Sequence, residues 1–222
     1  MDLRRLRALR AGGAGVRLLL VRHAESVGNA EFRLQGRRDF PLTPAGEQQA
    51  AALAARLEDS GVSAVYSSPL LRARLTADAI AAALGLQVVE EERLVEYDFG
   101  ERISGLTWEV IRREHPEVIE SLLRDESEFP RYPGEEGRGA FRQRVAAALT
   151  EIAERHRAEE AVAVVTHAGP IVVYLMQVLG RTYSRPIPFA IENASLTTIA
   201  LGEPGAFSGA VVTGINDTCH LR

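Results

Sequence analysis

A chain of 222 residues suits one domain, or one domain with a small subdomain, and can bury a sizeable core. Its 46% hydrophobic and 25% charged residues are those of a soluble globular protein, and a net charge of −4 argues against a general nucleic-acid binder. No segment reaches the roughly eighteen apolar residues needed to span a bilayer, so no membrane partner is expected.

Residues 1–16 read as a flexible N-terminal extension. The stretch is Arg-rich and precedes the apolar run Leu18 to Val21, superficially like a signal peptide. The run is too short, however, and Arg22 and His23 follow with no small-residue cleavage site. Arg17 to Val21 reads as a buried strand, with a polar loop after it. Thr43 and Pro44 open a helix as cap and first residue, and it stops near Ser60-Gly61. Val62 to Tyr66 is the next strand, running into Ser67-Ser68-Pro69, where Ser68 is expected to cap a second helix that Pro69 starts and Gly85 ends. Leu86 to Val89 makes a third strand.

The pattern weakens over residues 90–137, with short helical stretches after Thr107 and around Val118; this is the expected lid or subdomain. A long helix follows from Arg138 to Arg157, then the apolar strand Ala161 to Val165 with Thr166-His167 at its end. A helix from Pro170 to Leu179 stops at Gly180, and Ser195 to Leu201 and Ala210 to Ile215 close the chain as strands. Strands alternating with helices predict an α/β fold. The expected architecture is a three-layer sandwich, its mostly parallel central sheet flanked by helices, plus a small helical lid. Ligands of such sheets bind beyond the carboxyl ends of the strands. Arg22-His23, Ser67-Ser68 and Thr166-His167 all sit at such ends.

The residue types narrow the chemistry. All 26 basic residues are arginine, which rules out a Schiff-base lysine and the lysine of a Walker A loop. Cys219 is the only cysteine and lies too near the C-terminus to head a Cys-x5-Arg phosphatase loop; a single cysteine also fits the reducing cytosol. No C-x2-C or H-E-x-x-H cluster occurs, so neither a metal nor a cofactor is expected. What remains is arginine, histidine and carboxylate, a set suited to phosphate esters. Arginine forks match phosphoryl oxygens bidentately, and a neutral imidazole can attack phosphorus if its other nitrogen is held. Taken singly, each feature has a plainer reading: an Arg-His pair after a strand is usually packing, and Arg37, Arg38, Arg112 and Arg113 read as exposed charge. His115 and His156, in charged helical contexts, read as solvated, and His220 lies in the tail.

Together the pieces resemble the histidine phosphatase superfamily, the phosphoglycerate mutase-like family. Leu20 to Asn29 (LVRHAESVGN) is similar to its opening strand and Arg-His-Gly-Glu motif, and the likeness continues through Arg33, Gln35-Gly36, Asp39 and Pro41-Leu42-Thr43. Tyr66 to Ala73 resembles the second arginine helix, Leu94-Val95-Glu96 the proton-donor segment, Val164 to Gly169 the second histidine block, and Asn193-Ala194-Ser195 a late segment. The resemblance implies that Arg22, His23, Arg72, Glu96 and His167 form the catalytic pocket. His23 would be the nucleophile and Glu96 the general acid, then base. Arg22, Asn29, Gln35, Gly36, Arg72, His167 and Ala168 would bind the substrate's phosphate or line the rim. The implied partner is a small phosphomonoester, the location cytoplasmic, and a homodimer is allowed for.

The chain departs from the family where Ala24 replaces the usual glycine after the histidine, and where Gly137 stands in place of a serine in Pro133-Gly134-Glu135-Glu136-Gly137. The mutases carry a longer segment between donor and last histidine, and Glu-Arg-His-Tyr-Gly-Gly where this chain has Glu96-Tyr97-Asp98-Phe99-Gly100. The phosphatase branch is therefore expected, with a cofactor-dependent phosphoglycerate mutase as the alternative and a non-catalytic phosphoryl-binding protein as a further one. Selectivity is expected from the segment around Trp108, Phe129, Arg131 and Tyr132.

Overall fold

The computed structural model describes residues 15–124, 134–156, 160–181, 188–202 and 209–222. Its centre is β4 (Ala161–Thr166), buried at every position, as a continuous apolar run in mid-sheet requires. β1 (Gly15–Arg22) pairs with it in parallel, from Arg17 opposite Ala161 to Arg22 opposite Thr166. On the other side lies β2 (Val62–Ser67), then β3 (Val88–Glu90), both parallel. Beyond β1 the direction alternates: β5 (Leu196–Gly202) is antiparallel to β1, and β6 (Ala210–Asp217) to β5. The order is β3-β2-β4-β1-β5-β6. From β1 the chain goes to β2 and β3, and from β4 it leaves for the opposite edge. The crevice at this reversal lies at the carboxyl ends of β1 and β4.

The period of two along β1 separates the layers. Leu18 and Leu20 enter a core with Phe141, Val145 and Leu149 of α6 (Arg138–Glu154) and Ile171 and Leu175 of α7 (Ala168–Val178). Leu19 and Val21 enter the opposite core, with Leu53 of α2 (Pro44–Leu57) and Ala73, Ala77 and Ile80 of α3 (Leu71–Leu84). β4 alternates in the same way, Val162 and Val164 on one side and Ala161, Ala163 and Val165 on the other. The insertion holds α4 (Trp108–Glu114) and α5 (Pro116–Arg124), and Ile103, Ile111 and Val118 form a small core of its own.

Local signals explain most boundaries. Thr43 caps α2 by accepting from the Gly46 N–H at 2.9 Å, and Gly85 ends α3 in the left-handed conformation, φ 66°. Ser68 does not cap α3 as expected: that helix begins at Leu71, its cap residue is Leu70, and no side chain caps it. The polar loop after β1 contains a short helix, α1 (Val27–Ala30), closed by a capping box between Ser26 and Asn29. Gly15 and Val16 already belong to β1, two residues ahead of the expected start. Residues 1–14, Phe129, Arg131, Tyr132 and Pro133 lie outside the described residues. His156 is not solvated. Its ring has only 14% side-chain exposure, and its nitrogens meet the Tyr66 hydroxyl at 3.2 Å and Glu160 at 3.0 Å. His115 is also mostly covered, 3.4 Å from Glu117. Among the described residues no helix is long and apolar enough to cross a membrane.

Candidate active site

The residue after β1 is His23 and the residue after β4 is His167. The His23 N–H donates to the Thr166 carbonyl at 2.9 Å, which prolongs the ladder and sets the two imidazoles side by side, centroids 5.2 Å apart. Both rings are buried. His23 Nδ1 is 2.8 Å from the Ala24 carbonyl, which can only accept, so Nδ1 carries the proton. Its Nε2 receives an N–H from Arg72 Nε at 3.3 Å and so presents a lone pair. Burial holds His23 well below the ordinary histidine value, and the charges of Arg72 and Arg22 push the same way, against the Ala24 hydrogen bond. The ring is therefore neutral at physiological pH, with its nucleophilic nitrogen next to a guanidinium.

Arg72 comes from the first turn of α3 and is 1% exposed. It donates to the Gly36 carbonyl at 2.8 Å and the Arg38 carbonyl at 2.9 Å, so the loop after α1 fixes its plane. Burial, with help from Arg22 and against Glu96 and Asp39, lowers it to about 10, still cationic at neutral pH. Arg22 donates to the Ile191 carbonyl at 2.6 Å, while its Nε is buried without a partner. His167 Nε2 lies 2.9 Å from Ser68 Oγ, and its Nδ1 too is buried and unpartnered. Burial first, then Arg72, His23, Arg22 and Arg144, keeps His167 well below its ordinary value. An anion among these groups would satisfy orphaned polar atoms whose burial otherwise costs free energy.

Glu96 follows the 3-10 turn Glu92–Leu94. Its carboxylate accepts from the Tyr97 N–H at 2.8 Å and the Gly169 N–H at 3.2 Å. A side chain on Gly169 would displace this carboxylate: a Cβ would stand 2.1 Å from Glu96 Oε1. Ala24 fits without a glycine's freedom. It is fully buried, and its N–H donates to Thr76 Oγ1 at 3.0 Å. At the rim, Asn29 Oδ1 accepts from Asn193 Nδ2 at 3.1 Å and lies 2.8 Å from Ser26 Oγ, which turns the Asn29 NH2 away from these partners. Gln35 Oε1 accepts from Ser26 Oγ at 2.9 Å, so its NH2 is likewise left over. Gly36 has φ 53°, and a Cβ there would come within 2.7 Å of Ser104 Oγ. Ala168 opens α7 directly after His167. Trp108 starts α4 and is 37% exposed.

Ser68, Thr76 and Asn193 are site residues that the sequence alone did not assign. All three were within reach, since each lies in a segment that resembles the family and Ser68 also closes a strand. No role attached to them because they are uncharged and no spacing ties them to a histidine. Among the described residues no group of His, Cys, Asp or Glu is arranged to hold a metal ion.

The profile of the histidine phosphatase superfamily (branch 1) matches residues 18–212. The chain belongs to this superfamily. It is 36% identical over 206 residues to phosphoserine phosphatase 1 of Hydrogenobacter thermophilus, covering 93% of this chain and 94% of that one. It is 32% identical over 211 residues to the probable phosphoglycerate mutase GpmB of Yersinia enterocolitica, with 93% and 95% covered. The structure of Bacillus stearothermophilus YhfR superposes with a TM-score of 0.83 at 28% identity, covering 93% of this chain and all of that one. This histidine phosphatase is a phosphatase-type hydrolase of a small phosphorylated metabolite.

Proposed function

We propose that the chain hydrolyses phosphomonoesters by way of phosphate carried on His23, with arginines in place of metal. The observation that carries this is the tautomer of His23. A ring locked by the Ala24 carbonyl offers Nε2 as a neutral nucleophile beside Arg72. In the first step the Arg72 Nε–H passes from Nε2 to a phosphoryl oxygen, the freed Nε2 lone pair forms an N–P bond, the P–O ester bond breaks, and Glu96 gives its proton to the leaving alkoxide. In the second, water attacks phosphorus, the N–P bond breaks, and Glu96 takes the water proton back. Arg22, Arg72 and the free nitrogen of His167 hold the equatorial oxygens as charge spreads over them. Asn29, Gln35, Gly36 and Ala168 border the ester.

Phosphoserine is the first substrate to test, because the relative named for it is similar over nearly the whole chain. The similarity to a probable phosphoglycerate mutase supports a second reading, in which the phosphoryl group returns to an acid instead of passing to water. We place the protein in the cytoplasm, read the one catalytic domain as starting with β1 at Gly15, two residues ahead of the expected 17–222, with 90–137 as its lid, and allow for a homodimer. A panel of phosphorylated metabolites scored by kcat/KM, with phosphoserine and both phosphoglycerate isomers included, tests the function. Release of inorganic phosphate supports the phosphatase; isomer interconversion without release would replace it by the mutase.

A further inference from the structure

Glu96 is carried by a segment without regular structure, since the chain from Glu96 to Gly100 belongs to no helix or strand. A loop carboxylate that must meet a phosphoryl group on a rigid sheet needs support from outside the loop. Arg144 of α6 supplies it. Its Nη1 donates to the carbonyls of Arg93 and Val95, both at 2.7 Å, and Nη2 donates to the carbonyl of Glu96 itself at 3.0 Å. Nε and Nη2 donate to the Glu136 carboxylate at 2.8 and 2.7 Å. Every N–H of the guanidinium is thereby used, and none is left for a substrate. Glu136 also accepts the Asp98 N–H at 2.9 Å, so main chain on both sides of Glu96 is tied to one ion pair. That pair is largely buried, its side chains 16% and 12% exposed.

We propose that Arg144, with Glu136, is a positioning residue for the proton transfer made by Glu96; the inference rests on Glu96 being the donor. Lysine keeps the charge but lacks the planar fork that reaches three carbonyls and a carboxylate together. The test measures single-turnover phosphorylation of the enzyme by an alkyl phosphate and by nitrophenyl phosphate. The proteins compared are wild type, Glu96→Gln, Arg144→Lys, Glu136→Gln and the Glu96→Gln/Arg144→Lys double variant. An alkoxide needs the proton and a nitrophenolate hardly does. Arg144→Lys should therefore slow the alkyl reaction on the order of 10²-fold, as displacement by about an ångström does. It should slow the nitrophenyl reaction far less, and add little in the Glu96→Gln background.

Equal losses on both substrates, or full multiplication with Glu96→Gln, would overturn the inference. Should Glu96→Gln show no leaving-group dependence, the reading of Glu96 falls and takes this one with it. Should Glu96→Gln show it while Arg144→Lys and Glu136→Gln do not, this inference alone falls. Thermal unfolding accompanies each variant; if Arg144→Lys does not fold, Glu136→Gln, which keeps an acceptor for Asp98, gives the same readings.

Discussion

Gly169 and the Glu96 carboxylate occupy space that admits no third group: the Gly169 N–H donates to Oε2 at 3.2 Å, and a Cβ on Gly169 would lie 2.1 Å from Oε1. The backbone of Gly169 is helical, so alanine suits it and even gains helix propensity. What must yield most is the tip of the Glu96 side chain, with Phe141 Cζ, 3.2 Å from the added Cβ, giving by a few tenths of an ångström. Gly169→Ala should leave the unfolding temperature within a few degrees of wild type, consistent with a change under about 1 kcal/mol, while turnover of alkyl phosphates falls on the order of 10²-fold. Calorimetry beside steady-state kinetics checks this; unchanged turnover would mean that the Glu96 carboxylate is not where the proton is given.

Brief reaction with labelled phosphoserine, then denaturation without acid, should leave label on His23. His23→Ala should lose almost all turnover. Arg72→Ala should lose about 3 kcal/mol or more of transition-state stabilisation, as loss of an oxyanion donor does. Label found on a serine or a carboxylate would end the phosphohistidine mechanism.

Protonation of the two histidines links activity and stability to pH. Burial, then the Arg72 charge, holds both His23 and His167 well below their ordinary value of 6.5. Unfolded, both take up protons as pH falls through 6.5, whereas the folded rings do not. The unfolded state then binds more protons, so stability is complete above that pH and lost below it. The slope approaches about 1.4 kcal/mol per pH unit for each ring. Urea unfolding of His167→Gln between these limits should show a slope shallower by one such increment; an identical slope would show that His167 is protonated in the fold. For the same reason the acid limb of kcat/KM should fall below pH 6.5, since the neutral nucleophile persists there.

Arginine takes the place that a cation holds in many other phosphatases. Activity should therefore survive exhaustive dialysis against EDTA. Activity lost on dialysis and regained with magnesium would show that Arg22 and Arg72 are not the main charge partners of the phosphate.

What could be read in advance followed physical scale. β4 was legible because a strand buried on both faces runs apolar from Ala161 to Val165, and α2 because Thr43 and Pro44 act within one turn. Ser68 before Pro69 carries the local signature of a helix cap, but a partner from another strand, His167, claims its hydroxyl. His156 looked solvated because its sequence neighbours are charged; its cover, Tyr66, comes from β2. Arg144 gave no signal, since its partners are mostly main-chain carbonyls, which have no residue type. Glu136 lies in the segment Pro133 to Gly137, where the resemblance bears on the serine missing at Gly137 and attaches no role to Glu136. His23, His167 and Arg72 were recoverable because strand ends and a helix start bring them together.

Neighbouring strands in the middle of the sheet act as a ruler for the two imidazoles, whose separation inherits the strand spacing of about 4.8 Å. No loop has to close to set the spacing of their backbones, which the pairing of β1 with β4 fixes. The insertion with α4 and α5 has a small core of its own, against which Leu34 and Phe99 pack, and it is joined to the loop after α1 by backbone hydrogen bonds between Leu34 and both Gly105 and Leu106. The histidine spacing is thus set by the sheet and not by α4 and α5. Exchanging residues 106–124 for a different sequence of the same span should alter which esters are accepted, read as a changed KM pattern, while the burst of phosphoenzyme from nitrophenyl phosphate stays the same.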